Sequence, residues 1–260
     1  MRLVLGVDEA GYGPNMGPLV IAVSAWSIDS DLDLLQGLAP FSPEFQAAPW
    51  NKQSDFVPLG DSKKIYQPGK GLSGLSFAIQ FFEAVMSRVP SSQSRRFDLR
   101  NLATQDIQRV EAHPWYAEPR HGHECELQPN DSIDVLSQSV LLFAREKLSQ
   151  LSVKLIDFRV RILDEAYFNE SLERLGNKSD VLGQMSLGLA WEVLQSAREQ
   201  HPCESIELYC DRQGGRKKYA ALLSHTFQIS HPGENVPFIV ADLESPESSV
   251  YSLTYRDVPM

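Results

Sequence analysis

The sequence predicts an α/β protein, a sheet with helices laid against it, on three observations. Apolar runs of strand length, such as Leu3 to Val7 and Ser205 to Cys210, stop at an acid followed by glycines. Longer segments carry apolar residues at helical spacing, and the two kinds of segment alternate along the chain. A chain of 260 residues is long enough for one large core or for a core domain with an inserted lobe, and a single domain over 1–260 is expected, with an irregular elaboration at about 93–129.

Leu3, Val4, Leu5 and Val7 form the first strand, and the apolar run Leu19 to Trp26 forms the second. Asp29 to Phe56 contains Pro40, Pro43 and Pro49 without a sustained period, and reads as a loop with at most one short helix. Leu75 to Val89 is predicted helical, with Leu75, Ile79, Phe82 and Met86 near one face and Pro90 ending it. Gln93 to Gln128 is the least regular stretch. Ser132 to Leu151 is a second helix, with Ile133, Leu136, Val140, Phe143 and Leu148 as its apolar face. Phe158 to Leu163 alternates Phe158, Val160 and Ile162 with Arg159 and Arg161, the period of a half-exposed strand. Gly176-Asn177 then punctuates the chain before a long helix, Asp180 to Gln200, whose core positions are Leu182, Met185, Leu189 and Val193, with Trp191 beside them. Ser205 to Cys210 and Val250 to Tyr255 are strand-like.

Composition narrows the class. The hydrophobic fraction of 42% and charged fraction of 22% are those of an ordinary globular protein. No apolar run approaches membrane-spanning length, and the chain enters a strand without a signal peptide, so no membrane association and a cytoplasmic location are expected. Cys125, Cys203 and Cys210 are an odd number without paired spacing, which argues against a disulfide framework. The net charge of -10 counts against nucleic-acid binding by broad electrostatics, but not against a nuclease whose acids are neutralised by divalent metal. Lys63, Lys64 and the segment Arg212 to Lys218 can supply a local basic strip.

The chemistry concentrates where strands end. Asp8 and Glu9 close the first strand, and Ala10-Gly11-Tyr12-Gly13-Pro14 turns the chain. Adjacent carboxylates at the mouth of a buried strand are costly to place unless something cationic occupies the site. Successive strand side chains face opposite ways, so the turn is expected to begin at Glu9 if both acids are to serve one ligand. Hard oxygen donors suit Mg²⁺ or Mn²⁺. A polar β-turn with solvated acids explains the same residues. Asp61 or Ser62 can cap a helix whose N-terminus, with Lys63 and Lys64, would bind phosphate; a capped surface helix with solvated lysines is the alternative. Asp211, at the end of Ser205 to Cys210 and before Gly214-Gly215, repeats the grammar of the first motif, or is an ordinary turn aspartate. His121, His123 and Cys125 have no second ligand pair at a standard zinc spacing.

Gly6-Val7-Asp8-Glu9-Ala10-Gly11-Tyr12-Gly13-Pro14, followed by Gly17-Pro18-Leu19-Val20, resembles the opening motif of type 2 ribonucleases H, the ribonuclease HII family. Gly60-Asp61-Ser62-Lys63-Lys64 resembles the second signature of that family, in the same order along the chain. The resemblance implies a ribonuclease H-like mixed β-sheet flanked by helices. It implies Mg²⁺ or Mn²⁺ held by Asp8, Glu9 and Asp211, with Gly11, Tyr12 and Gly13 along the ribose and Ser62, Lys63 and Lys64 at the phosphate. The reaction implied is endonucleolytic cleavage of RNA in RNA–DNA hybrids, or at ribonucleotides embedded in DNA, leaving 5′-phosphate and 3′-hydroxyl ends. A monomer is expected.

Two departures qualify the resemblance. Tyr12 stands where the family usually has arginine, which bears on substrate choice more than on metal binding. The family's fourth acid and the helix after it have no clear counterpart; Asp242 and Glu244 are candidates, and the full protein is expected to continue beyond residue 260. Three other readings stay open: a nucleic-acid-binding protein of the same fold with impaired catalysis, another metal-dependent phosphodiesterase on that fold, and a zinc-stabilised interaction protein built on His121, His123 and Cys125.

Overall fold

The structure, a computed structural model, describes residues 1–11, 17–28, 45–47, 57–59, 73–86, 104–114, 138–201, 205–211, 222, 226, 238–244 and 249–256. By their contacts they divide between two compact units, one made of Met1–Ser30, Asp98–Glu118 and Leu155–Met260, the other of Asp31–Phe97 and Pro119–Lys154.

The first unit is built on a mixed six-stranded sheet. Strand β1, Arg2–Ala10, pairs antiparallel with β2, Leu19–Ile28, on one side and parallel with β6, Ser205–Asp211, on the other. Beyond β6 lie β8, Ser249–Arg256, and then β7, Phe238–Glu244, each antiparallel to its neighbour; β5, Lys154–Leu163, lies outside β2. The alternation in β2 shows why this is a sheet covered on a chosen face. Leu19, Ile21, Val23 and Ala25 are buried, while Val20, Ala22, Ser24 and Trp26 between them are only partly so. The buried set joins Leu3, Leu5, Val7, Ile206, Leu208 and Cys210 in one core. Each fully buried aliphatic side chain there, such as Ile21, contributes about 1.5–3 kcal/mol.

Three helices with described bounds belong to this unit. Helix α5, Lys178–Gln200, supplies Leu182, Met185, Leu189 and Val193 to that core, as its periodicity predicted, and adds Val181, Leu187, Ala190, Leu194 and Ala197. Trp191 packs against the core edge. Before it runs α4, Glu165–Leu175, which the sequence reading passed over. Gly176, at φ 82°, ends α4 by donating its N–H to Leu172, and Asn177 caps α5 by accepting from the Asp180 amide, so adjacent residues stop one helix and start the next. The opposite face of the sheet carries a smaller cluster, in which Val110 and Ile107 of helix α2, Thr104–Glu111, meet Val160, Ile162, Val20 and Ala22.

The second unit contains the short parallel pair β3, Phe45–Ala47, and β4, Val57–Leu59, with helices α1, Ser73–Met86, and α3, Gln138–Gln150. Helix α3 falls within its predicted segment and α1 overlaps its own, but each exposes one residue of the face expected of it, Ile79 in α1 and Phe143 in α3. Among the described side chains of α1, Phe81 is buried and Ile79 is exposed. In α3, Val140, Ala144 and Leu148 are buried, and Phe143 is 58% exposed. Small Ala144 continues the i, i+4, i+8 stripe, and large Phe143 lies off it.

Two further expectations are corrected. A helix, α2, runs through the stretch read as irregular, and β1 does not turn at Glu9. The ladder with β2 continues through Asp8↔Ala22, Glu9↔Ile21 and Ala10↔Val20, so the chain leaves the strand at Gly11. No described helix is long and apolar enough to cross a membrane.

Candidate functional site

Because β1 stays regular to Ala10, its two acids point to opposite faces. Glu9 shares the parity of Leu3, Leu5 and Val7 and is half-buried on the α5 side of the sheet, opposite Ile21 in the ladder. Asp8 is exposed on the other side, where its oxygen Oδ1 accepts the Glu9 amide at 2.9 Å. The expected sharing of one ligand by both side chains is therefore not met by this backbone. The Glu9 side chain is turned away from the Asp8 side of the sheet.

Asp211 stands level with Asp8. Strands β1 and β6 run parallel with Val7 opposite Cys210, and each aspartate is the next residue along its own strand. Two carboxylate-bearing residues thus occupy neighbouring positions at the C-terminal ends of adjacent parallel strands, the end at which α/β sheets bind ligands.

Gly11 follows at φ 84°, a left-handed backbone that disfavours any side chain. A Cβ there would lie 2.4 Å from the Pro18 carbonyl oxygen, so the two backbones pass too closely for anything but glycine. Gly17, where the described chain resumes, has φ 114° and donates its N–H to Glu165 Oε1 at 3.3 Å. The mouth of the turn is closed at Gly11 against Pro18 and tied at Gly17 to the first residue of α4.

Glu165 is placed there by a charged network at the end of β5. Asp164, fully buried, caps α4 by accepting from the Tyr167 amide at 2.9 Å, and accepts from Arg109 Nε through its other oxygen. His113 Nε2 lies 3.3 Å from the capping oxygen. Arg109 also donates to the Ile162 carbonyl at 2.6 Å and to Asp106 at 3.2 Å, and its guanidinium lies 4.2 Å from the centre of the Tyr167 ring. Asp106 in turn accepts the Ile162 amide at 2.9 Å. Side chains of α2 therefore satisfy both main-chain groups of one residue on the outer strand β5, where an unpaired N–H and C=O would otherwise face outward. Burial pushes the Asp164 carboxyl up, but the Tyr167 amide and then the Arg109 guanidinium outweigh it and hold the group below the usual carboxylate range.

Of the expected site residues, the structure brings Asp8, Glu9, Gly11 and Asp211 to one end of the sheet. Tyr12, Gly13, Ser62, Lys63 and Lys64 lie outside the described residues, as do the candidate zinc residues His121, His123 and Cys125. For Asp211, Asp242 and Glu244 the strand positions are described but not the side chains. Among the described residues no cluster of three or more His, Cys, Asp or Glu side chains is grouped as for a metal ion. The sequence reading missed Asp164 and Glu165, although a signal was present: Asp8-Glu9-Ala10 and Asp164-Glu165-Ala166 are the same tripeptide, each at the end of a strand.

Comparison with protein-family models, curated proteins and solved structures returns no match.

Proposed function

We propose that the chain is a divalent-metal-dependent endonuclease with a ribonuclease H-like fold, acting on RNA in RNA–DNA hybrids or at ribonucleotides embedded in DNA. The observation that carries this reading is the level position of Asp8 and Asp211 on adjacent parallel strands, directly before a turn that only glycine can open. The mixed sheet with helices on its faces agrees with the fold that the Asp8 motif implies.

The donors fit a hard cation. Asp8 and Asp211 would hold Mg²⁺ or Mn²⁺, with Glu9 contributing a main-chain carbonyl. When bound, such ions supply an activated water and charge stabilisation at the leaving 3′-oxygen. The chain's own part is placement. Asp8 is exposed at the strand end, and Gly11, seated against the Pro18 backbone, would offer its main chain to a ribose. Tyr12 and Gly13 would extend that contact, and Ser62, Lys63 and Lys64 would hold the phosphate. No side-chain nucleophile is required.

One observation favours a second reading, a binding module with impaired catalysis: Glu9 is half-buried on the face away from Asp8, which removes one carboxylate from the expected set. A substrate panel separates the two. Metal-dependent cleavage of a hybrid or of a duplex with a single ribonucleotide, with all-DNA and all-RNA duplexes left intact and 5′-phosphate products, is the result expected of the enzyme. Hybrid binding that survives chelation, without cleavage under any divalent metal, would establish the binding module instead.

A further inference from the structure

Even-numbered residues of β1 share the face of Asp8, and the ladders carry that face onto both neighbouring strands. Behind Asp8 lies a row of Ser24, Gly6 and Tyr209, and behind that a row of Trp26, Val4 and Glu207. The two faces differ in cover. On the α5 side Leu3, Leu5, Ile21, Val23, Leu208 and Cys210 are buried, whereas on the Asp8 side Gly6, Ser24, Trp26, Glu207 and Tyr209 each keep part of their surface exposed. The cluster that α2 builds on the Asp8 side takes in Val20 and Ala22 of β2 and, among the described residues, none of β1 or β6.

We infer that this strip of sheet is a stacking site for unpaired nucleobases, with Trp26 and Tyr209 as its rings. The inference rests on the functional reading above for the course of a strand past Asp8. Continuity with that site names the occupant, because the face that holds Asp8 is the face that carries both rings. Gly6 is the first support. A glycine inside a strand weakens it, and marks a bulge, a bend, or a place where a ligand or another main chain comes close. Both ladders run unbroken through Gly6, and among the described residues a Cβ there would meet only Ser24 Oγ, at 3.4 Å, so neither a bulge nor crowding accounts for it. What it leaves is bare main chain between Ser24 and Tyr209, on strands about 10 Å apart.

The rings are the second support. Trp26 Nε1 donates to Ser24 Oγ at 3.0 Å, so the indole leans along β2 towards the Asp8 end. The Tyr209 hydroxyl donates to Glu207 Oε2 at 2.8 Å, and Glu207 Oε1 accepts from Arg2 Nη1 at 2.9 Å, which offsets the charge of the carboxylate. With their polar edges engaged by same-face neighbours, both rings are held in place and offer a ligand aromatic surface. Stacking on such surface tolerates any base, because every base has a π-face. The strip therefore selects bases over bare sugar–phosphate, and not one base over another.

The test measures binding, with metal chelated, of a short oligothymidine and of the same sugar–phosphate strand without bases. Wild type is expected to prefer the base-bearing strand by about tenfold. Trp26→Leu and Tyr209→Leu are each expected to lose about tenfold for oligothymidine and nothing for the abasic strand, whereas Trp26→Phe and Tyr209→Phe, which keep a ring, stay within about threefold of wild type. Thermal melts establish that each variant is folded. Equal binding of the two strands by wild type overturns the inference, and so does binding of neither. Leucine variants that hold oligothymidine as wild type does overturn it too, as do phenylalanine variants as weak as the leucine ones, since the rings would then be structural. Metal-dependent cleavage of a hybrid by the same wild-type protein decides the functional reading separately. Cleavage without base preference keeps the function and removes the strip; base preference without cleavage does the opposite.

Discussion

Arg109 and Asp164, 55 residues apart in sequence, form an ion pair in which the aspartate side chain is fully buried and the arginine side chain is 34% exposed. The asymmetry decides what each mutation does. Removing the arginine strands a buried charge; removing the aspartate strands a cation that can still reach solvent.

Asp164→Asn keeps an oxygen to cap α4 at Tyr167 and loses only the charge facing Arg109 and His113. Urea unfolding is expected to show a loss of about 2–3 kcal/mol. Asp164→Ala loses the cap as well, for about 1 kcal/mol more. Equal effects from both substitutions would remove the cap from the account.

The same residue sets a pH dependence. Its folded pKa is depressed, so the stability it contributes is complete above its unfolded pKa of about 3.9 and is lost as pH falls from there through the folded value. Between about pH 5 and pH 3, wild type is expected to lose more stability than Asp164→Asn, so the gap between them narrows on acidification. A gap that widens would reverse the sign and contradict the depressed pKa.

Gly11→Ala tests the turn. A methyl group at φ 84° and 2.4 Å from the Pro18 oxygen is expected to cost about 2–4 kcal/mol in chemical denaturation. Gly6→Ala is the control on the same strand. Its Cβ would meet only Ser24 Oγ at 3.4 Å, and the change is expected to stay within about 1 kcal/mol.

What was legible follows from whether one residue type or one partner decides each element. The strands β1, β2 and β6 and helix α5 carry their period in residues that face one core, and β5 carries its own in Phe158, Val160 and Ile162 on the other face, so the pattern alone finds them. Helix α2 is different. Of its inward residues only Ile107 and Val110 are apolar, and Asp106 and Arg109 face the end of β5 because Ile162 needs a donor and an acceptor there. No period in the sequence announces such a helix. In α4 a signal was present, Asp164 capping ahead of Tyr167, Phe168 and Leu172, but the strand-ending acid reads equally well as a turn. At the site, the motif locates Asp8 and Gly11, whereas the face taken by Glu9 depends on how far β2 continues the ladder, which a single strand's sequence does not specify.

Helix α3 gives a further check on packing. Leu148→Ala is expected to cost about 2–5 kcal/mol, because Leu148 is 5% exposed, while Phe143→Ser at 58% exposure is expected to stay within about 0.5 kcal/mol. A larger cost for Phe143→Ser than for Leu148→Ala would contradict the burial seen in α3.

Whether Asp8 holds metal as a catalytic residue or is a solvated turn acid is decided by one comparison. The measurement is cleavage of a duplex with a single ribonucleotide in Mg²⁺ or Mn²⁺ by wild type and by Asp8→Asn, with thermal unfolding of both. Since Asp8 is exposed and outside the core, the variant is expected to melt within a few degrees of wild type, on the order of 1 kcal/mol, yet to cleave about 1,000-fold more slowly. Equal cleavage by the two proteins, or wild-type cleavage that persists in excess chelator, would contradict the metal-holding role.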